Sequence, residues 1–118
     1  MRRRERERIA DLTRDLCADE APDVAARLVV IWAREIPGLW GVAHVFRPHS
    51  GTDQSYECDV LLSEHAWETA SEEDRADTIA HELAHVVVWA RDLEAPTHGA
   101  KWRRCFARLK AAADGFDW

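Results

Sequence analysis

Thr78-Ile79-Ala80-His81-Glu82-Leu83-Ala84-His85-Val86-Val87-Val88-Trp89 is the stretch on which the reading of this chain turns. Ala76, Ile79, Ala80, Leu83, Val86, Val87 and Ala90 recur at helical spacing, which makes it a core helix with an apolar stripe. His81 and His85 lie four residues apart, so on a helix they share one face with Cβ atoms about 5–6 Å from each other. Both imidazoles then reach one metal ion through bonds of about 2.0–2.1 Å. Glu82, beside them, is a poor third ligand but is well placed to accept a proton from a water that the metal activates. With 6 His and 11 Glu in 118 residues, the five-residue pattern is expected by chance only about 0.03 times. A surface helix carrying two histidines by accident is the competing reading. Histidines bordering a core helix need partners, and a metal supplies them.

Working upstream, Ser71 caps the motif helix, acids fill its first turn, and the helix runs to about Arg91. Tyr56 to Ser63 alternates Tyr56, Cys58, Val60 and Leu62 on one side and reads as a strand, with Ser63 capping a short turn over Glu64 to Glu68. Trp40 to Arg47 reads as its hairpin partner, joined through a turn at Pro48-His49-Ser50-Gly51-Thr52-Asp53. Val24, Leu28, Ile31, Trp32 and Ile36 sit at helical spacing after Pro22, which predicts a second helix ending at Pro37-Gly38. Residues 1–20 form a charged N-terminal helical segment, helical from Arg2 to about Cys17, with Ile9, Leu12 and Leu16 as its apolar contacts. Downstream, Asp92 to Thr97 connects to a last helix from His98 or Gly99 to Ala113, with Trp102, Cys105, Phe106 and Leu109 facing the core. Residues 114–118 form a tail that docks or frays.

The length fits one domain over residues 1–118, with 47% hydrophobic and 32% charged residues, ordinary for a soluble globular fold. Cys17, Cys58 and Cys105 are odd in number and widely spaced, which argues for free thiols in a reducing compartment rather than a disulfide framework or a zinc ribbon. The N-terminus is no secretory signal, and the longest apolar runs are too short to span a membrane, so a cytoplasmic location is expected. A net charge of -6 excludes nucleic-acid binding by bulk charge. Two local clusters, Arg2, Arg3, Arg4, Arg6 and Arg8, and Lys101, Arg103, Arg104, Arg108 and Lys110, leave a nucleic-acid partner open; solvated helix faces explain them as well.

A catalytic zinc site usually has three protein ligands and an open position. The candidates for the third are Asp92, Glu94 and His98. His98 is favoured, because a tight connection aims a ligand at a helix start back toward the preceding helix, and Gly99 leaves room for close approach.

His81-Glu82-Leu83-Ala84-His85, followed by His98-Gly99-x-x-Trp102, resembles the SprT-like metalloprotease domain. Val60-Leu61-Leu62-Ser63 resembles a strand-ending segment of that family, and Asp77-Thr78 the approach to its motif; together the likeness spans roughly residues 24 to 110. The resemblance implies a small zincin-like α+β domain: N-terminal helices, a short antiparallel sheet, the motif helix and a C-terminal helix. It implies His81, His85 and His98 as zinc ligands and Glu82 as general base of an endopeptidase, acting on a protein or peptide and in some relatives on DNA-associated proteins. Many relatives carry a cysteine zinc ribbon or a DNA-binding module that these 118 residues do not contain.

Three subsidiary roles follow from position. An edge strand over Tyr56 to Leu62 would hold an extended substrate by strand addition. Tyr56 and His44 are candidates to assist the oxyanion, with sheet packing the plainer role for each. Asp77, one turn before His81, is a candidate to orient that ring. The other function classes are a zinc-stabilised protein- or DNA-binding module with little turnover, and a metal-free helical interaction protein.

Overall fold

A computed structural model describes residues 1–47 and 55–118. The turn expected at Pro48 to Asp53 lies outside the described residues. Among the described residues the fold is α+β, with five helices and a three-stranded sheet.

Helix α1, Arg3–Glu20, buries Ile9, Ala10, Thr13, Leu16 and Cys17, a stripe at helical spacing. It ends at Ala21, which leaves the helical conformation ahead of Pro22, where pre-proline sterics disfavour it. The helix expected from Pro22 to Ile36 is not formed. Helix α2, Pro22–Ala25, is a single turn, and Leu28–Ala33 is strand β1. Both patterns fit the sequence here. Leu28, Val30 and Trp32 alternate inward while Val29 and Ile31 point out, 54% and 42% exposed. The β-branched run Val29-Val30-Ile31 favours the pleat, and pairing with a distant strand decides the matter. Pro37-Gly38 still breaks the chain, as the centre of a type II turn: Gly38 has φ 72°, and the Leu39 N–H donates to the Ile36 carbonyl at 3.1 Å.

Strand β2, Gly41–Phe46, pairs antiparallel with β3, Glu57–Ser63, and β1 pairs parallel with β3 from Leu28↔Cys58 to Ala33↔Ser63. The sheet is therefore mixed rather than antiparallel, in the order β1-β3-β2. β3 is its central strand, so the Tyr56 to Leu62 edge expected to accept substrate does not exist; β1 and β2 are the edges.

Ser63 caps α3, Glu64–Thr69, by accepting from the Ala66 N–H, and Ser71 caps α4, Glu72–Arg91, by accepting from the Asp74 N–H. Helix α4 buries Ile79, Leu83, Val86 and Val87 between the sheet and α5, Ala100–Ala113. Helix α5 packs Trp102, Cys105 and Leu109 inward; Phe106 is only half-buried. The tail docks: Trp118 is 3% exposed, its indole donates to the Ala113 carbonyl at 2.8 Å, and it meets Trp67 edge-on at 6.4 Å. Trp67 meets Trp32 in the same way at 5.6 Å. All three cysteines are buried and unpaired. No helix among the described residues is long and apolar enough to cross a membrane.

Candidate metal centre

His81 and His85 project from the middle of α4, one turn apart, and His98 comes to meet them from the connection ahead of α5. The His81 Nε2 lies 3.2 Å from the His85 Nε2 and 3.3 Å from the His98 Nε2. For a tetrahedral ion with metal–nitrogen bonds of about 2.0–2.1 Å, the edge between two ligand nitrogens is about 3.3 Å. Both distances from His81 match that edge, and the ligand atoms of all three rings lie within 4.8 Å of one another, close enough to hold one ion. Glu94 and Asp92, the other candidates for the third position, stand outside this cluster.

The connection earns this geometry by a local strain. His98 has φ 59°, the left-handed region, which costs a residue with a Cβ about 1–2 kcal/mol. Gly99 follows, and a Cβ there would sit 3.2 Å from the Pro96 Cβ and 3.3 Å from its carbonyl oxygen, so the close approach expected of this glycine is real. The helix itself starts at Ala100, with Gly99 at its cap.

Burial favours the neutral form of the two helix histidines. Burial, and then the neighbouring His81 and His98, push the His85 imidazole down to about 4; burial and His98 lower His81 against the pull of Asp77. Neutral imidazoles with lone pairs facing one point are what a metal ion requires. An aromatic shell surrounds them: the Trp89 indole stacks on His85 at 4.7 Å, and Trp102 contacts all three rings at 4.5–5.3 Å.

Glu82, next to His81 on the helix, is buried against the start of β2. Its carboxylate Oε1 is 3.7 Å from the His81 Nε2. Burial raises its carboxyl from 4.5 to about 7, with His44 opposing weakly. Gly41 makes room for it: a Cβ on Gly41 would meet the Glu82 Cγ at 3.1 Å. A cleft of about 350 Å³ opens beside His81 and Glu82, walled by Leu39 and Trp40 on one side and Asp74, Asp77 and Thr78 on the other. Gly41 and the cleft wall escaped the sequence reading. A glycine opening a strand signals close approach, but not of what.

Two of the other candidates, His44 and Tyr56, stand away from the cluster. His44 lies on the outer face of the sheet, its Nδ1 2.7 Å from the Asp59 carboxylate. Tyr56 precedes β3 at the end remote from Leu62, its ring beneath the guanidinium groups of Arg27 and Arg47. Neither reaches the cluster to serve an oxyanion. The Asp77 carboxylate pairs with Lys110 at 3.4 Å. Among the described residues, Arg3, Arg6, Arg8, Lys101, Arg108 and Lys110 of the two cationic clusters are paired with acids.

A model of the SprT-like family matches residues 10–117, nearly the whole chain. The chain belongs to the SprT-like family. No curated protein and no solved structure matches it. Membership in this family points to a metalloprotease-like domain, and the three convergent histidines of this SprT-like chain give that reading a metal-binding geometry.

Proposed function

We propose that this SprT-like chain is a zinc-dependent endopeptidase with His81, His85 and His98 as ligands and Glu82 as general base. The observation that carries it is the convergence of three imidazoles, with the His81 Nε2 3.2 and 3.3 Å from the Nε2 atoms of His85 and His98, and a buried carboxylate 3.7 Å from the His81 Nε2. Zinc held there would supply Lewis acidity, lowering the pKa of water toward about 7 and polarising a peptide carbonyl. Glu82 accepts the proton of the attacking water and returns it to the leaving amine. A base whose carboxyl is held near 7 by burial suits both transfers at neutral pH. β2 is the edge strand that begins at Gly41, over Glu82, so an extended substrate adding to its free edge would run past the histidines. Trp40 and Leu39, 47% and 51% exposed, offer apolar surface to side chains in the cleft.

The test pairs two measurements on the purified protein. Elemental analysis should give one zinc per chain, with clear loss in His98→Ala. Cleavage of an unfolded protein substrate should be abolished by Glu82→Gln while zinc is retained. Cleavage that survives Glu82→Gln refutes the mechanism, and zinc retained by His98→Ala moves the third ligand elsewhere.

A further inference from the structure

We infer that Trp89 is a positioning residue for the three-histidine site, holding the ring of His85 with its face and the segment that delivers His98 with its N–H. The inference rests on the metal-site reading above and extends it to a residue outside the ligand set.

Trp89 follows His85 by four residues on α4, so their side chains meet on one helix face. The two rings lie nearly parallel, 18° apart at 4.7 Å. The torsion that spins an imidazole about its Cβ–Cγ bond is broad. A flat indole against the ring restricts that spin, and the spin decides whether the Nε2 faces the His81 Nε2. The other end of Trp89 does separate work: its Nε1–H donates to the Ala95 carbonyl at 3.3 Å. Ala95 is buried in the connection between α4 and α5, three residues ahead of His98. That connection is braced internally by the Ala95 N–H to the Asp92 carbonyl and the Gly99 N–H to the Pro96 carbonyl, both at 3.1 Å. The Trp89 bond ties this braced unit to the helix that carries the other two histidines. The tie matters because His98 sits in the left-handed region, a conformation that persists only when its surroundings hold it. One side chain thus links the second histidine to the third.

The experiment measures zinc affinity by competition with a chromophoric chelator, and the visible spectrum of the cobalt-loaded protein. The proteins are the parent, Trp89→Phe and Trp89→Leu, with Trp89→Leu also placed in His98→Ala. Supporting groups around metal ligands typically carry about 10–100-fold in affinity, and Trp89→Leu should lose that much and shift the cobalt spectrum. Trp89→Phe, which keeps a flat face but no N–H, should fall between. In the His98→Ala background Trp89→Leu should cost less than in the parent, since part of what it positions is gone. A packing role alone would lower the urea midpoint of the metal-free protein and leave zinc affinity and the cobalt spectrum at parental values; that result overturns the inference. If Trp89→Leu does not fold, Trp89→Phe decides: parental affinity and spectrum overturn the inference, and a weaker affinity with an altered spectrum supports it. A parent that takes up no zinc sinks the metal-site reading itself, a different outcome from a parent and Trp89→Leu that bind equally well.

Discussion

Replacing Glu82 with glutamine should stabilise the metal-free protein, and more so the higher the pH. The carboxyl is raised by burial from 4.5 to about 7, so the folded chain holds this proton where the unfolded chain has released it. The stability that comes from the neutral acid is complete below pH 4.5 and is lost as the pH rises to about 7. A gap of about two and a half pH units, at 1.36 kcal/mol each, is about 3 kcal/mol. About 2.5 kcal/mol of it falls between pH 5 and pH 8, and glutamine, having no charge to bury, escapes it. His85 works in the opposite sense: its imidazole is lowered from 6.5 to about 4, so its contribution is present above pH 6.5 and lost as the pH falls to about 4. Both proteins carry His85, so the difference between them isolates Glu82. The assay is urea unfolding with chelator present, parent against Glu82→Gln, at pH 5 and pH 8. At the denaturant sensitivity of a small domain, the gap between midpoints should widen by about 1–2 M from the lower pH to the higher. Added zinc should shrink the gap at pH 8, because the cation favours the carboxylate beside it. A midpoint difference that does not grow with pH would refute the reasoning, by showing that the carboxylate is solvated in the folded protein.

Gly41→Ala puts a methyl group 3.1 Å from the Glu82 Cγ and 3.2 Å from the Leu61 carbonyl oxygen; it should lower stability by about 1–3 kcal/mol in urea unfolding and impair cleavage while zinc content stays at the parental level. Trp118→Ala removes a side chain only 3% exposed, with its bond to the Ala113 carbonyl, and should cost about 3–5 kcal/mol, read as a lower urea midpoint. His98→Asn should change the stability of the metal-free protein by no more than about 0.5 kcal/mol in urea unfolding, since asparagine tolerates the left-handed region, yet should strip zinc, as elemental analysis would show.

What the sequence made legible were the features set by local rules. The Ser63 and Ser71 caps, the run of α4, the pairing of β2 with β3 and the approach of Gly99 to its connection all follow from spacing, capping chemistry and turn composition. The His81–His85 pair was legible because helix geometry alone brings it together. What failed was nonlocal. Leu28 to Ala33 satisfies helical and strand periods at once, and its parallel partner begins at Cys58, thirty positions away. With Leu28 to Ala33 reading as helix, β3 reads as an edge strand, whereas it is the centre of the sheet. Gly41 and Trp89 were missed for the same reason. Their roles come from what stands opposite them, and no periodicity in the chain records that.

The six tryptophans divide the molecule optically. Trp89 and Trp102 lie against the imidazoles, whereas Trp32, Trp67 and Trp118 form their own edge-to-face chain, and among the described residues no ring contact joins the two groups. Trp40 stands apart, half in water at the cleft. Intrinsic emission therefore carries three signals. Loading the histidines should alter the first pair, an occupied cleft should shift the band of Trp40 toward the blue, and the edge-to-face chain should stay constant until the protein unfolds. Single replacements by phenylalanine would separate these signals, so that binding, cleft occupancy and unfolding can be followed in one cuvette without a label.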